Sequence, residues 1–593
     1  MEYAYRHRDE YTAVLWSFAG TEQSMRGGYA AIAALLDLPE KESQEQAKVT
    51  DAVKNWLEQN IGWLLVLDNA DDPAMAKPFL PQQGKGHVLL TSRAHSFQAL
   101  GILSPREIDV LSPNEAREFL LRRTGKDDDV KSLEADGLAK ELGYLPLALE
   151  QAAAYMVENS VSFAGYLTGF KKQRQKLLSK QGPVIGNDEK EQQKRTVATA
   201  WALNFADVEK ASSAAVDLLR LSAFLSPDAI PLELLEKGGQ QLTEPLSEKL
   251  AEAAEDSLVL GELLKPLLHF SLIRRDDEKR TYSIHPLVQE VVRDGLSKED
   301  QGAWAERVVR AVNAAFPYIE FENWSQCDRL LQSAVACAGL IESWGMQFAE
   351  AARLLNQAGH YLNGRAEYAQ AESLYRRALA IYEKAVGPEH PDTALSLNNL
   401  ASLLSDQGKY KEAEPLYHRA LAIDEKVLGT EHPSTAIELN NLADLYRDQG
   451  RYQEAEPLYD RALTICERVL GPEHLYTAQS LNNLAVFLNY QGKQAEAEPL
   501  HRRALAIREK VLGPAHPDTA ISLNNLASLL NSQRKPAEAE PLFRRALKIL
   551  EKALGSEHPN TTMARNNLIV FYRDQGRSAE ADVLKKDTKG KPA

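Results

Sequence analysis

Asn398-Asn399-Leu400-Ala401 is the stretch that decides the architecture of this chain. It returns as Asn440-Asn441-Leu442-Ala443, Asn482-Asn483-Leu484-Ala485, Asn524-Asn525-Leu526-Ala527 and, with one change, Asn566-Asn567-Leu568-Ile569. The period is 42 residues and does not slip. A repeat of this length closes no core by itself; stacked copies bury their apolar faces against one another and leave a long surface exposed. Such surfaces bind things more readily than they do chemistry.

Within one repeat, Leu397, Leu400, Ala401 and Leu404 form a stripe at helical spacing. Gly408 supplies a stop, and Tyr410, Ala413, Leu416, Tyr417, Ala420, Leu421 and Ile423 make a second stripe that runs to Gly429. Each repeat therefore reads as a helical hairpin plus a loop. The small residues Ala401, Ala413 and Ala420 let the helices approach, while Tyr417 and the leucines fill the remaining space. This division of large and small residues resembles the tetratricopeptide repeat, in the longer variety, with Leu-Gly-x-Glu-His-Pro before the next helix, found in kinesin light chains. The period places the start of the array near residue 350 and its end in a short hairpin near Lys586, with divergent helices expected between about 300 and 349.

Asn398 and Asn399 lie about 100° and 200° round the helix from the core-facing Leu397. Both should point away from the hairpin core. Asn399, Asn441, Asn483 and Asn525 face furthest from it and are the candidate groove set for a protein or peptide ligand, as the resemblance to peptide-binding repeats implies. Bonding between repeats is the other reading of the same amides. His390, His432, His474, His516 and His558 recur once per repeat, too far apart to converge on one ion, so a structural role in the loop is expected. Pro415, Pro457, Pro499 and Pro541 are expected early in the second helix, where a missing amide proton costs little.

At 593 residues the chain exceeds one hydrophobic core and is multidomain. A hydrophobic content of 44% with 26% charged residues is that of a globular protein, and no apolar run reaches the ~18 residues that span a bilayer. The first ten residues do not read as a signal peptide, which predicts a cytoplasmic protein. The three cysteines form no Cys-x-x-Cys pair and are expected as buried apolar residues. A net charge of −15 disfavours nucleic acid as a partner.

In the front half, Gly62-Trp-Leu-Leu-Val-Leu-Asp68 suits a strand buried on both faces that delivers a carboxylate at its end, where open α/β sheets bind ligands. Gly86 to Leu90 and Thr12 to Phe18 read as two more strands, with helices near 22–37 and 44–59. The order Leu-Leu-Val-Leu-Asp68, Leu-Leu-Thr-Ser-Arg93, Leu111-Ser-Pro-Asn-Glu-Ala116, Gly143-Tyr-Leu-Pro-Leu-Ala148 resembles the NB-ARC domain of STAND-type signalling ATPases over roughly residues 1–170. By that resemblance the module binds ADP or ATP with Mg²⁺: Asp68 holds the metal through its waters, Arg93 senses the terminal phosphate and Pro146 packs near the adenine. The resemblance also implies self-association through this module.

Two departures stand out. Asn69 occupies a position where many of these ATPases carry a second acidic residue, so hydrolysis should be slow unless Asp71 or Asp72 substitutes. The sequence also holds no Gly-x-x-x-x-Gly-Lys-Ser/Thr loop; its five Gly-Lys pairs are never followed by Ser or Thr. Either the domain is truncated before Met1 or it has lost the loop, and both readings predict weak ATP binding and little or no ATPase activity.

Residues 211–300 show helix, hairpin and helix in an order that resembles the winged helix following NB-ARC, with a charged wing at Arg275 to Thr281. His285 matches the histidine of the family's Met-His-Asp motif, which the resemblance places at the ADP β-phosphate. The expected fold class is thus a truncated α/β P-loop-type domain, helical and winged-helix linker domains, and an all-α repeat superhelix. The expected boundaries are an NB-ARC core at 1–110, a helical subdomain at 111–190, a winged-helix-like domain at 191–300, linker helices at 301–349, the array at 350–586 and a tail at 587–593. Two functions compete: a nucleotide-controlled signalling switch with the array as sensor, and a nucleotide-independent interaction scaffold. An independent enzyme has little support, since no catalytic constellation stands out.

Overall fold

The buried run around Leu65 is the middle of a three-stranded parallel sheet, β1 (Ala13–Phe18), β2 (Ile61–Asp68) and β3 (Lys85–Leu90), in the order β1-β2-β3 in the computed structural model. The structure describes residues 2–43, 46–92, 97, 100, 102, 106, 110–125, 129–181, 189–320, 323–365, 367–555 and 559–587. It separates into two compact units, 1–105 with 359–593 and 106–358.

Both faces of β2 are covered, which is why Trp63 to Leu67 can all be apolar. Leu65 and Leu67 pack on Tyr29, Ile32, Val49, Val53 and Leu57 from the helices Glu22–Leu35 and Gln46–Gln59. Leu64 and Val66 meet Ala4 from the short helix Glu2–Arg6. Thr21 starts the first long helix by accepting a hydrogen bond from the Ser24 amide at 3.1 Å. Trp63 donates its indole N–H to the Leu57 carbonyl at 2.8 Å, and its ring occupies the space a side chain at Gly86 would need: a Cβ there would lie 2.1 Å from the ring.

In the second unit, the helices Pro113–Thr124, Asp129–Glu141, Pro146–Glu158 and Phe163–Gln181 share one core built on Leu120, Leu138, Leu149, Met156 and Phe170. Ser112 and Glu115 form a reciprocal capping box that starts the first of these helices. The helix Glu189–Ala211 runs across the boundary expected at residue 191, and its Ala200 and Leu203 join the same core.

A small antiparallel sheet follows, β4 (Ile230–Pro231), β5 (Ile273–Asp276) and β6 (Thr281–Ile284), in the order β4-β6-β5. Ile273 pairs with Ile284 and Asp276 with Thr281, so the charged segment is the turn of a hairpin. The helix Ser257–His269 precedes it and Pro286–Asp294 follows. Buried Tyr282 meets the Ser222 hydroxyl at 2.8 Å, and Gln289 donates to the carbonyls of Ser222 and Leu225 at 2.8 and 2.9 Å, which ties hairpin and helices together. The helices Lys298–Ala315 and Trp324–Ser343 occupy the segment where divergent helices were expected.

Among the described residues, the array alternates six first helices with six second helices. The first helices are Ala349–Gly364, Pro391–Asp406, Pro433–Asp448, Leu475–Tyr490, Pro517–Ser532 and Pro559–Asp574. The second helices are Tyr368–Ala385, Tyr410–Val427, Tyr452–Val469, Gln494–Val511, Pro536–Leu554 and Ser578–Asp587. The hairpins from Pro391 onward alternate small and large residues in their cores, as in Ala394, Leu397, Ala420 and Ile423. Gly408, Gly450 and Gly492 turn the chain between helices with φ of +72°, +74° and +79°, a conformation that glycine adopts without strain. In the fifth repeat Arg534 takes that position at φ +61°.

Three expectations about the array need correction or refinement. Pro415, Pro457, Pro499 and Pro541 lie inside the second helices, beyond the first turn. They are tolerated because they sit on the exposed face, where water reaches the carbonyl left without its amide donor. Asn398, Asn440, Asn482 and Asn524 do not face solvent; they are buried against the neighbouring repeat. A helical angle from Leu397 describes one hairpin alone, and the next hairpin covers what that hairpin leaves exposed. His390, His432, His474 and His516 each cap a first helix, their Nδ1 accepting the backbone amide two residues on at 3.1–3.2 Å. His558 lies outside the described residues.

Candidate functional site

Asp68 ends β2, half-buried, and the register that pairs Leu67 with Leu90 sets Thr91 beside it. The Thr91 hydroxyl donates to Asp68 Oδ1 and accepts the Asn69 amide at 2.9 Å. Asn69 is held in the left-handed region at φ +62° by the hydrogen bond from the Ala70 amide to the Thr91 carbonyl at 2.7 Å. Asp71 accepts from Ser92 at 3.3 Å. Asp72 caps the helix Pro73–Ala76 through the amides of Ala74 and Met75 at 2.9 and 3.2 Å. A carboxylate engaged in a cap is poorly placed to take a proton from water, so Asp72 is not the substitute base for Asn69.

The donors around Asp68 suit a hydrated cation, because one carboxylate oxygen takes Thr91 and the other remains for a metal-bound water. Among the described residues they supply no cradle of amides or lysine for phosphates. Thr91 escaped the sequence reading, although strand register in a parallel sheet would have pointed to it. Arg93 lies outside the described residues.

In the other unit, Gly143 and Tyr144 take positive φ, Leu145 is the N-cap and exposed Pro146 is the first residue of its helix, a position where proline's missing amide proton costs nothing. The Leu111 amide donates to the Tyr144 carbonyl at 3.1 Å, joining two of the sequence motifs. His285 is exposed and caps the helix Pro286–Asp294, its Nδ1 accepting the Leu287 amide at 3.1 Å. Leu287 packs against the core that holds Ala148 and Leu149, so the helices headed by Pro146 and by His285 share that core.

In the array, successive first helices pack on each other as well as on their own partners, while packing of that extent does not join successive second helices among the described residues. The stack therefore curves towards its first helices, which line the inner side. Asn399, Asn441, Asn483 and Asn525 lie there, half-buried. Asn441 donates to Asn398 at 2.8 Å, Asn525 to Asn482 at 3.1 Å and Asn567 to Asn524 at 3.2 Å, so these amide groups form a ladder between repeats. At Asn483 the ladder changes: its amide goes to Asp444 at 3.3 Å, its oxygen accepts from Gln479 at 2.9 Å, and Asn440 turns to Ser480 at 2.9 Å. Asp444 also accepts from Tyr459 at 2.6 Å and pairs with Arg447 at 2.5 Å, a network that one repeat alone does not reveal.

A family model described as Tetratricopeptide repeat matches residues 350–426, 396–459, 434–510, 481–552 and 518–586, and a second, a domain of unknown function (DUF7779), matches 206–301. A nucleotide-binding leucine-rich repeat (NLR)-like protein of Hyaloscypha variabilis is 30% identical over 431 residues, 66% of this chain and 41% of that protein. The regulatory protein AfsR of Streptomyces griseus is 27% identical over 239 residues, 40% of this chain and 22% of that protein. The chain thus spans less than half the length of either relative. A crystal structure of a Podosopora anserina putative kinesin light chain with nearly identical TPR-like repeats is 31% identical, covering 34% of this chain and 95% of that one, with a TM-score of 0.30. No described helix is long and apolar enough to cross a membrane. The match to the NLR-like protein is longer than the array and so reaches beyond it. Residues 350–586 of the chain are tetratricopeptide repeats, and over 431 residues the chain is similar to an NLR-like protein.

Proposed function

We propose that this chain is a signalling protein in which the repeat array recognises a protein or peptide partner on its inner side and the NB-ARC-like front half is a switch set by ADP or ATP. The observation that carries the reading is a tetratricopeptide repeat array in a chain that is 30% identical over 431 residues to an NLR-like protein. Asn399, Asn441, Asn483 and Asn525 keep part of their surface on the inner side and would hold the backbone of an extended segment. Asp68 would hold hydrated Mg²⁺, Arg93 and His285 the phosphates, and Pro146 the base. Bound nucleotide would supply charge at the phosphates, which favours whichever arrangement brings cationic and metal-binding groups to it. Self-association through the NB-ARC-like module and a cytoplasmic location belong to the same reading.

The competing reading is a scaffold that works without nucleotide. The sequence lacks a Gly-x-x-x-x-Gly-Lys-Ser/Thr motif, and one oxygen of Asp68 is already engaged by Thr91. Thermal melting of the chain with millimolar ADP or ATP and Mg²⁺ separates the two. A nucleotide-dependent rise in Tm that His285→Ala abolishes supports the switch. An unchanged Tm with retained partner binding supports the scaffold.

A further inference from the structure

Where the second helix of one repeat meets the first helix of the next, residues 14 apart face each other across a buried crevice. Cys466 Sγ and Ser480 Oγ lie 3.5 Å apart, and Arg508 donates to Ser522 at 2.8 Å. The equivalent pairs elsewhere are Tyr382 with Ser396 and Leu550 with Ala564. Between the second and third repeats the pair is Asp424 and Glu438. Both are 4% exposed, and Asp424 Oδ1 and Glu438 Oε2 accept no hydrogen bond among the described groups. One crevice of the array thus holds two buried carboxyls where its copies hold at most one charge.

Two carboxylates cannot both stay ionised in such a place, because each loses its hydration and each repels the other. The alternatives are a proton or a separation of the helices. We propose that Asp424 and Glu438 form a proton-dependent joint between the second and third repeats, closed while the pair keeps one proton and loosened when that proton leaves.

The surroundings set where the pair titrates. Burial raises the Asp424 carboxyl, while His432, which caps the facing helix, pulls it down when protonated. Burial and the charge of Asp424 push Glu438 well above the carboxylate range. Tyr417, on the helix that carries Asp424, also faces Glu438 and is itself raised by burial, so it brings no charge at neutral pH. Both carboxyls are raised, Glu438 the further, so the pair as a unit holds one proton to higher pH than a free carboxylate would. A folded-state value above the unfolded one stabilises the joint fully below the unfolded value and loses that stabilisation as pH rises through the folded one. Rising pH should therefore open the array at this joint. The second and third repeats would then move relative to each other, altering the surface offered to a partner.

The test is hydrogen exchange of the full chain between pH 5 and pH 8, read on peptides from 410–448 and corrected for the chemical rate. The expected result is that wild type loses about tenfold of protection there over this range. Glu438→Gln should keep it, and peptides from 494–532, around Arg508 and Ser522, should respond alike in both proteins. A protonated-carboxyl stretch in the infrared spectrum at neutral pH, absent in Glu438→Gln, is the second readout. If Glu438→Gln does not fold, Asp424→Asn serves in its place: it removes the neighbouring charge and leaves Glu438 buried, so the loss of protection should begin at lower pH than in wild type. Parallel exchange profiles for wild type and variant, or a neutral-pH spectrum without that stretch, would overturn the proposal.

Discussion

The inner and outer sides of the repeat array are held by different chemistry. On the inner side, first helices pack closely and their asparagines bond across repeats, Asn441 to Asn398 and Asn525 to Asn482. On the outer side, second helices are linked by ion pairs that repeat with the same period: Arg419 to Glu383, Arg461 to Glu425, Arg503 to Glu467 and Arg545 to Glu509. A further set runs from Lys409 to Glu372, Arg451 to Glu414, Lys493 to Glu456, Lys535 to Glu498 and Arg577 to Glu540. Apart from the rung at Asn483, which donates to Asp444, the inner ladder is neutral and half-buried, so salt does not screen it. The outer ladder is charged and more exposed, and it sets the spacing of the second helices with little net energy. Curvature is thus held by packing inside and trimmed by charge outside.

The strongest way to break this comparison is to cut the packing from which both ladders hang. Leu439 is fully buried on a first helix, against Ala462 and Ile465. Leu439→Ala should cost about 2–5 kcal/mol, the transfer free energy plus the cavity, measured by urea unfolding. It should also loosen both ladders at that repeat. A loss below ~1 kcal/mol would mean that the ladders, rather than the packing, carry the array.

Next comes His501. It fills the second-helix core position held by Tyr417, Tyr459 and Phe543 in the other repeats, it is buried, and its Nδ1 has no hydrogen-bond partner. Burial drives its pKa down to about 4. The depressed value means stability present above the usual histidine range and lost as pH falls towards 4. His501→Phe should raise stability by about 1–2 kcal/mol and remove that acid-side loss, read as Tm against pH.

These positions show what a sequence makes legible. A strict period exposes hairpins, turns and small-large alternation, because each is written several times; the buried strand before Asp68 was legible because an apolar run of that length has few other places to go. Contacts between copies are a different matter. Burial of Asn398, the pairing of Asp424 with Glu438 and the Asp444–Tyr459–Asn483 network all depend on how one repeat lies on the next, and a single-helix angle carries no information about that. Thr91 beside Asp68 is the same case in the sheet, where a register sets the partner.

Asn441→Ala sharpens the inner side alone. It removes one donor and leaves buried Asn398 Oδ1 without its partner, at a cost of about 1 kcal/mol. If the amide also holds a ligand, partner affinity falls by more than this loss of stability explains. Asn567→Ala, at the last rung of the ladder, supplies the comparison. Equal effects of both variants on binding would leave the asparagines with a structural role only.

The smallest effect belongs to the outer side. The Arg461–Glu425 pair spans 2.7 Å, with both side chains about one-third exposed. In such a setting the Coulomb gain is largely offset by hydration and by the entropy of holding two long side chains. Arg461→Gln should therefore cost no more than about 0.5 kcal/mol at low salt, and the difference from wild type should vanish near molar salt. Because Arg461 also donates to the Thr430 carbonyl at 3.1 Å, any residue of the effect that survives high salt measures this neutral bond, which glutamine is too short to reproduce. A large effect that does not depend on salt would place real strength in the outer ladder and reverse the ranking of the two sides.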